Sequence, residues 1–149
     1  MRAVIQRVSK ASVRVEGETI GAIGPGFHVL LGAEIDDTQT DLNYILDKVV
    51  NLRVFDDDAG KLNLSLLDVG GAVLVVSQFT LLGNCRKGRR PSFVRAMPPG
   101  PAEQMVETFV EQVKQRGVEV ATGRFGAHMH LDIQGDGPVT ILLDSRMQL

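Results

Sequence analysis

The sequence has few of the residues that form covalent cross-links, span membranes or stack on bases. It contains one cysteine and no tryptophan, and aromatic residues make up 5% of its 149 residues. One cysteine excludes an internal disulfide and is typical of a reducing compartment. Because neither neighbour of Cys85 is a base, we interpret this thiol as incidental rather than nucleophilic. No apolar run approaches the roughly 20 residues that a membrane-spanning helix needs, and no signal peptide pattern is present, so we expect a cytoplasmic protein.

Strong charge of either sign is also missing. The formal net charge of -2 argues against a protein that coats nucleic acid without sequence preference, but it is compatible with a local basic patch. Hydrophobic residues at 44% and charged residues at 23% are ordinary for a globular chain. At this length we expect one domain, residues 1–149, that buries a sizeable core without stabilisation by disulfides or metals.

Both termini of the chain have strand patterns. Short apolar stretches separated by Gly, Pro and Glu turn residues predict strands at 3–8, 11–16, 19–23 and 27–31. Near the other end, alternation from Met129 to Ile133 predicts a strand with one polar face. Residues 135–138 then predict a turn, and 139–143 a final buried strand.

Two helices are predicted between these strands. The first has an apolar stripe at helical spacing and is capped by Asp36 or Asp37. The second begins near Pro101 and ends before Gly117. The two stripes consist of Leu42, Ile45, Leu46, Val49 and Val50, and of Ala102, Met105, Val106, Phe109, Val110 and Val113. The fold class predicted is α+β, with two main helices packed on a largely antiparallel or mixed sheet.

An acidic turn at residues 56–58 joins two short strands, around Phe55 and at 62–64. Adjacent aspartates suggest calcium, but an EF-hand loop would need a glutamate where this chain has Leu67. A solvated hairpin turn is the favoured interpretation.

The stretch from Ala72 to Leu82 is the centre of the functional interpretation. Residues 73–76 are apolar on both faces, as in a strand covered on both sides. Ser77, Gln78 and Thr80 then place polar groups at the end of that strand, with Phe79 and Leu81 on its other, apolar face. These groups either form a site or only pair with backbone at the strand end.

The loop that follows contains four cations in five residues, with Gly88 among them: Arg86, Lys87, Arg89 and Arg90. Guanidinium groups bind phosphate oxygens bidentately, so this loop is either a phosphate clamp or a solubilising surface.

A metal site is the weaker alternative. His128, His130 and Asp132 lie on one side of the predicted strand, which outlines an open metal site. The polar face of an amphipathic strand explains the same residues without a metal. Gly137-Pro138 is also notable because prolyl bonds can be cis at modest cost, although other Gly-Pro pairs occur in this chain.

Several separated motifs resemble those of the D-aminoacyl-tRNA deacylases, over essentially the whole chain. They are the opening AVIQRV, then VVSQFTL at 75–81, KGRRPSF at 87–93, TGRFGA at 122–127 and DGPVT at 136–140. The family usually has asparagine before Asp-Gly-Pro, where this chain has Gly135. Glycine loosens the backbone there.

The resemblance implies a barrel-like fold and a homodimeric hydrolase without cofactor or metal. Its substrate is the ester between a D-amino acid, or glycine, and the 3′ end of a tRNA. In such enzymes a cis Gly137-Pro138 enters the partner subunit's site and rejects L-residues, while Arg7 helps to hold this loop across the interface. The residues implied to line the ester are Ser77, Gln78, Phe79 and Thr80, with N–H groups around Phe79 as an oxyanion hole.

The resemblance also assigns tRNA phosphates to the basic loop. Thr80 has been interpreted as a nucleophile in this family, but the sequence shows no adjacent base. We favour activation of water by the ribose 2′-hydroxyl. Two rival functions stay open, namely an RNA-binding module without turnover, which the scarcity of aromatics disfavours, and a metal-dependent hydrolase that uses the two histidines and Asp132.

Overall fold

The computed structural model describes residues 1–149 as one curved six-stranded sheet with helices on one side, together with a separate two-stranded hairpin. The strands are β1 (Arg2–Val15), β2 (Glu18–Ile23), β3 (Gly26–Gly32), β4 (Phe55–Asp56), β5 (Leu62–Leu64), β6 (Ala72–Ser77), β7 (Val120–Thr122) and β8 (His130–Asp144). The helices are α1 (Gln39–Asn51), α2 (Leu66–Val69) and α3 (Pro99–Gln115), with a 3-10 turn at Phe79–Leu82.

The main sheet has the order β2-β1-β3-β6-β7, and β8 also pairs with β1. Strand β1 is antiparallel to β2, β3 and β8, whereas β6 is parallel to both β3 and β7. The sheet curls until β2 meets β7, where a Cβ on Gly21 would lie 2.7 Å from the carbonyl oxygen of Thr122. This nearly closed, mixed sheet confirms the predicted α+β, barrel-like class.

Helices α1 and α3 cover one face of the sheet through the predicted stripes. All five stripe residues of α1 are buried, and Phe109 of α3 is fully buried in the same cluster. Burial of such a side chain stabilises the fold by roughly 1.5–3 kcal/mol. None of the helices is long and apolar enough to cross a membrane.

The predicted ends of both helices differ by a few residues. Thr38, not Asp36 or Asp37, caps α1, in a capping box with Asp41. Asp37 does not cap the helix, because its carboxylate accepts a hydrogen bond from the Glu34 N–H at 2.7 Å and pairs with Arg146 at 3.1 Å. Helix α3 begins at Pro99 rather than Pro101. Gly117 follows its end with φ of 83°, as predicted.

The last strand differs more from its prediction. Residues 130–144 form one strand instead of two strands with a turn, and the break appears only as register shifts against β1. The expected burial of 139–143 is wrong in part, because Leu143 is buried while Leu142 is 61% exposed. In this chain β8 pairs only with β1, so one side of the strand has no neighbour.

The acidic hairpin agrees with the solvated interpretation. Phe55 pairs with Leu64. The Asp57 carboxylate accepts hydrogen bonds from the backbone N–H groups of Ala59 and Lys61 at 2.9 and 3.0 Å. These bonds lower the pKa of Asp57, which favours an ionised carboxylate that organises its own turn.

Candidate active site

The polar residues after β6 lie on a turn, not on a continuing strand. Val73 to Val76 are buried as predicted, but pairing ends at Ser77 and Phe79–Leu82 forms the 3-10 turn. The Gln78 N–H donates to the Leu31 carbonyl at 2.8 Å, which fixes the start of the turn against β3. Phe79 therefore points outward and is 55% exposed, contrary to the predicted apolar strand face.

A cavity of about 610 Å³ opens beside this turn. Its size falls within the range of small-molecule sites. Ser77, Gln78 and Phe79 line it, together with Leu31 at the end of β3. Thr80 does not line it. The Thr80 hydroxyl instead accepts a hydrogen bond from the Gln78 side-chain amide.

The other walls come from two distant segments that residue patterns alone did not single out. One is the loop before α3 together with the start of that helix, and the other is the loop before β8. The lining residues from these segments include Phe93, Met97, Pro98, Ala102, Phe125, Gly126, Ala127 and Met129. Ala102 belongs to the predicted stripe of α3 and Met129 begins the predicted alternation before β8, but for the loop residues the only local signal is apolar residues among glycines and prolines. The motifs that carry the family resemblance do include Phe93 and residues 125–127.

The two histidines and Asp132 are not brought together around a metal position. The rings of His128 and His130 meet edge to face at 5.0 Å between centroids. Asp132 pairs with Arg14 at 3.1 Å on β1. No group of three or more His, Cys, Asp or Glu side chains is arranged to hold a metal ion. His128 lies just before β8 and lines the cavity.

The Gly137-Pro138 bond is cis, and both residues are exposed. Neither residue lines the cavity of its own chain. Gly137 has φ of 133°, and a Cβ there would lie 2.8 Å from the Val139 nitrogen. The position therefore requires glycine.

The side chain of Arg7 binds the backbone of this loop at Asp136. It is 6% exposed, and its Nε and Nη1 donate to the carbonyls of Asp136 and Val54 at 3.0 and 2.8 Å. Its guanidinium also lies 3.4 Å from the Asp136 carboxylate and 3.6 Å from that of Asp56. These contacts lie within one chain, whereas the resemblance implied a contact across an interface.

The basic loop follows the 3-10 turn in the chain and is exposed to solvent. Arg86, Lys87, Arg89 and Arg90 are exposed, and none has a carboxylate within 4.0 Å. Asn84 and Ser92 close the base of the loop through two backbone hydrogen bonds of 2.8 and 2.9 Å. Four cations without intramolecular partners are free to bind an anion.

One titratable residue was not singled out by its sequence pattern. His28 alternates with residues of the main core on β3, so its ring lies on the other face of the sheet and is 1% exposed. Its Nδ1 lies 3.2 Å from the Gln6 side-chain oxygen, while Nε2 has no partner. Burial lowers the pKa of His28 to about 4, so the ring is neutral at pH 7. It does not line the cavity.

Comparison with known proteins shows the family of this chain. A family model described as D-Tyr-tRNA(Tyr) deacylase matches residues 4–144. The chain belongs to this family. A D-aminoacyl-tRNA deacylase of Natranaerobius thermophilus is 58% identical over 97% of both chains. One of Clostridioides difficile is 56% identical, also over 97% of both chains.

Solved structures of similar fold exist. A protein described as c-Myc DNA Unwinding Element Binding Protein has a TM-score of 0.91 and 48% identity, over 97% of this chain and 98% of that one. A probable eukaryotic D-amino acid tRNA deacylase has a TM-score of 0.78 at 18% identity, over 95% of this chain and 97% of that one. The second similarity supports the fold alone.

Proposed function

We propose that this chain hydrolyses the ester of D-aminoacyl-tRNA to free tRNA and the D-amino acid, which is a proofreading reaction. The observation that carries the proposal is that Ser77, Gln78 and Phe79, where β6 passes into the 3-10 turn, line the 610 Å³ cavity, in a chain that belongs to the deacylase family. Relatives that are 56–58% identical are named D-aminoacyl-tRNA deacylases.

The proposed chemistry rests on the 3-10 turn. The first N–H groups of a helical turn have no partner inside it, and the side chain of Gln78 does not cap this one. We assign the N–H groups around Phe79 to the oxyanion that forms when water adds to the ester carbonyl. The ester C–O bond then breaks, and the ribose 3′-oxygen leaves with a proton.

Thr80 is not assigned as the nucleophile. A threonine nucleophile needs a base within hydrogen-bond reach. The Thr80 hydroxyl instead accepts from Gln78, an amide, and does not line the cavity. We assign activation of the water to the ribose 2′-hydroxyl of the substrate, with Ser77 and Gln78 orienting the ester.

Chiral selection is assigned to the Gly137-Pro138 loop of a second copy of the chain. The loop is exposed and lies outside its own cavity, which suits entry into another subunit's cavity. Carbonyl oxygens of the loop would accept hydrogen bonds from the amino group of a D-residue, while an L-residue would clash. Glycine has no side chain, so glycyl-tRNA is a second substrate under the same rule. This assignment requires a homodimer.

The basic loop is assigned to the backbone of the tRNA acceptor stem. Its four unpaired cations contrast with Arg2, Arg7 and Arg95, which all have carboxylate partners. Phosphate contacts of this kind make binding strongly dependent on salt.

The deciding experiment is single-turnover deacylation of D-tyrosyl-, L-tyrosyl- and glycyl-tRNA, with and without EDTA. Rapid release from the D-tyrosyl substrate and from glycyl-tRNA, unaffected by EDTA, supports the whole proposal. Release of both D- and L-tyrosine would refute the chiral assignment alone. Loss of activity in EDTA would favour a metal-dependent hydrolase.

A nucleic-acid-binding module without turnover is the second candidate. The 48% identical structure favours it, since that protein is described as binding a DNA unwinding element. It predicts salt-dependent binding of uncharged tRNA or DNA through the basic loop, with no ester cleavage. The 610 Å³ cavity has no role in such a module, which is why we rank it second.

A further inference from the structure

The aromatic ring of Phe93 contacts the ring of Phe79 across the mouth of the cavity. Their centroids are 5.1 Å apart and the rings meet edge to face at 73°. We propose that Phe93 is a positioning residue, which holds Phe79 and with it the turn that carries the reacting N–H groups. The proposal rests on the proposed function, because it assigns Phe93 to the same reaction.

Phe79 needs such a support because the core does not supply one. Its side chain is 55% exposed, while its neighbour Leu82 on the same turn is 3% exposed and anchored in the interior. The ring of Phe93 is half-buried and also packs over Gly83, where an added Cβ would lie 3.0 Å from Phe93 Cε1. Phe93 therefore covers both the start and the end of the turn.

Phe93 is itself held on both sides. Just before it, Ser92 exchanges two backbone hydrogen bonds with Asn84. Just after it, the Ala96 N–H donates to the Phe93 carbonyl at 3.0 Å, and Arg95 pairs at 2.9 Å with Glu34. The Glu34 side chain is 2% exposed, so this ion pair ties the segment to the protein interior.

The same contacts join the basic loop to the turn. The loop ends at Ser92, one residue before Phe93, and its cations lie within seven residues of Phe93. Edge-to-face aromatic pairs favour one relative orientation of the rings. Loss of the Phe93 ring should therefore release Phe79 and misalign the ester, while the cations and the phosphates they bind remain. Small misplacements of reacting groups reduce rates by up to about 100-fold.

The test compares Phe93→Ala, Phe93→Leu and Phe93→Tyr on two substrates, D-tyrosyl-tRNA and D-tyrosine esterified to adenosine. The second substrate lacks the phosphates that the basic loop would bind. Val94→Ala is the matched control, because Val94 is the next residue, is 75% exposed and does not line the cavity. Thermal unfolding of each variant checks the fold, and Phe93→Leu carries the test if the alanine variant does not fold.

We expect Phe93→Ala and Phe93→Leu to lower the single-turnover rate about 10- to 100-fold on both substrates. The half-saturating concentration of each substrate should stay within about three-fold, and Phe93→Tyr should restore the rate because it keeps the ring edge. Val94→Ala should match the wild type.

Three results would overturn the proposal. Weaker binding of D-tyrosyl-tRNA alone would mean that Phe93 only supports the basic loop. Weaker binding of the adenosine ester at an unchanged rate would make Phe93 a binding surface. Unchanged kinetics in Phe93→Ala would give it no role. A wild-type chain that releases no D-tyrosine refutes the proposed function itself, and the positioning role falls with it.

Discussion

Arg7 donates a hydrogen bond from Nε to the Asp136 carbonyl at 3.0 Å, across 129 residues of sequence. Asp136 directly precedes Gly137, so a nearly buried cation fixes the backbone of an exposed loop. Charged donors form the stronger class of hydrogen bonds. The loop to which we assign chiral selection is therefore held in place by a side chain of β1.

Replacement of Arg7 should cost both stability and selectivity. Because hydrogen bonds from charged donors contribute about 1.5–3 kcal/mol each, we expect Arg7→Ala to lower the free energy of unfolding by about 2–4 kcal/mol. The D-to-L rate ratio should fall because the loop is released. Arg14→Ala is the control, since its ion pair with Asp132 is exposed and such pairs are worth at most about 1 kcal/mol. Urea unfolding and paired deacylation assays measure both, and equal effects of the two variants would contradict this role.

Gly137→Ala should abolish rapid release of D-amino acids. The new Cβ would lie 2.8 Å from the Val139 nitrogen and 3.2 Å from Arg7 Nη2, at a φ of 133° that L-residues rarely adopt. Gly135→Ala is the control, because a Cβ there meets nothing within 4 Å. We expect Gly135→Ala to keep its D-to-L ratio. If Gly137→Ala behaves like the control, the loop has no part in selection.

The basic loop should govern tRNA affinity and its salt dependence. We expect Arg89→Ala with Arg90→Ala to weaken binding of tRNA and to reduce the slope of log affinity against log salt by about 1 for each phosphate that the loop no longer binds. Arg116→Ala is the control, because Arg116 is an exposed cation at the far end of α3. Filter binding at several salt concentrations gives the slopes. An unchanged slope in the double variant would place the tRNA elsewhere.

Thr80→Ala should retain deacylation within about ten-fold of the wild type, because loss of a true nucleophile reduces rates by several orders of magnitude. Its hydroxyl points to Gln78 and not into the cavity. Rapid-quench kinetics with labelled D-tyrosyl-tRNA measures the rate and detects any covalent intermediate. A trapped acyl-enzyme on Thr80 would establish covalent catalysis instead.

His28 should make the fold sensitive to acid. Its pKa is about 4 in the folded chain against 6.5 as the ordinary value, so the unfolded chain binds more protons between these pH values. Stability is therefore full above pH 6.5 and falls as the pH drops toward 4, by up to about 3 kcal/mol. Urea unfolding from pH 7 to pH 4 should show this loss, and His28→Leu should remove it.

Local patterns predicted the regular elements well. The α1 stripe of Leu42 to Val50 and the buried run Val73 to Val76 were confirmed, because helical and strand periodicity is encoded by neighbouring residues. The ends of elements were less predictable. Thr38 displaced Asp37 as the cap because the Asp37 carboxylate pairs with the amino group of Met1 and with Arg146, both distant in the sequence. The strand ended before Phe79 because a 3-10 turn begins there.

By itself, the sequence determined the family, the two main helices, the buried strand and the residues at its end, since each is written in short, contiguous patterns. Only the tertiary structure decided that Phe93 and Phe125 wall the cavity beside Ser77, that Arg7 supports Asp136, and that His28 is buried. Such pairs are brought together by the curl of the sheet and the packing of α3. The curl of the sheet and the packing of α3 depend on apolar contacts between residues far apart in the chain, so no short stretch of sequence contains the information for these pairs.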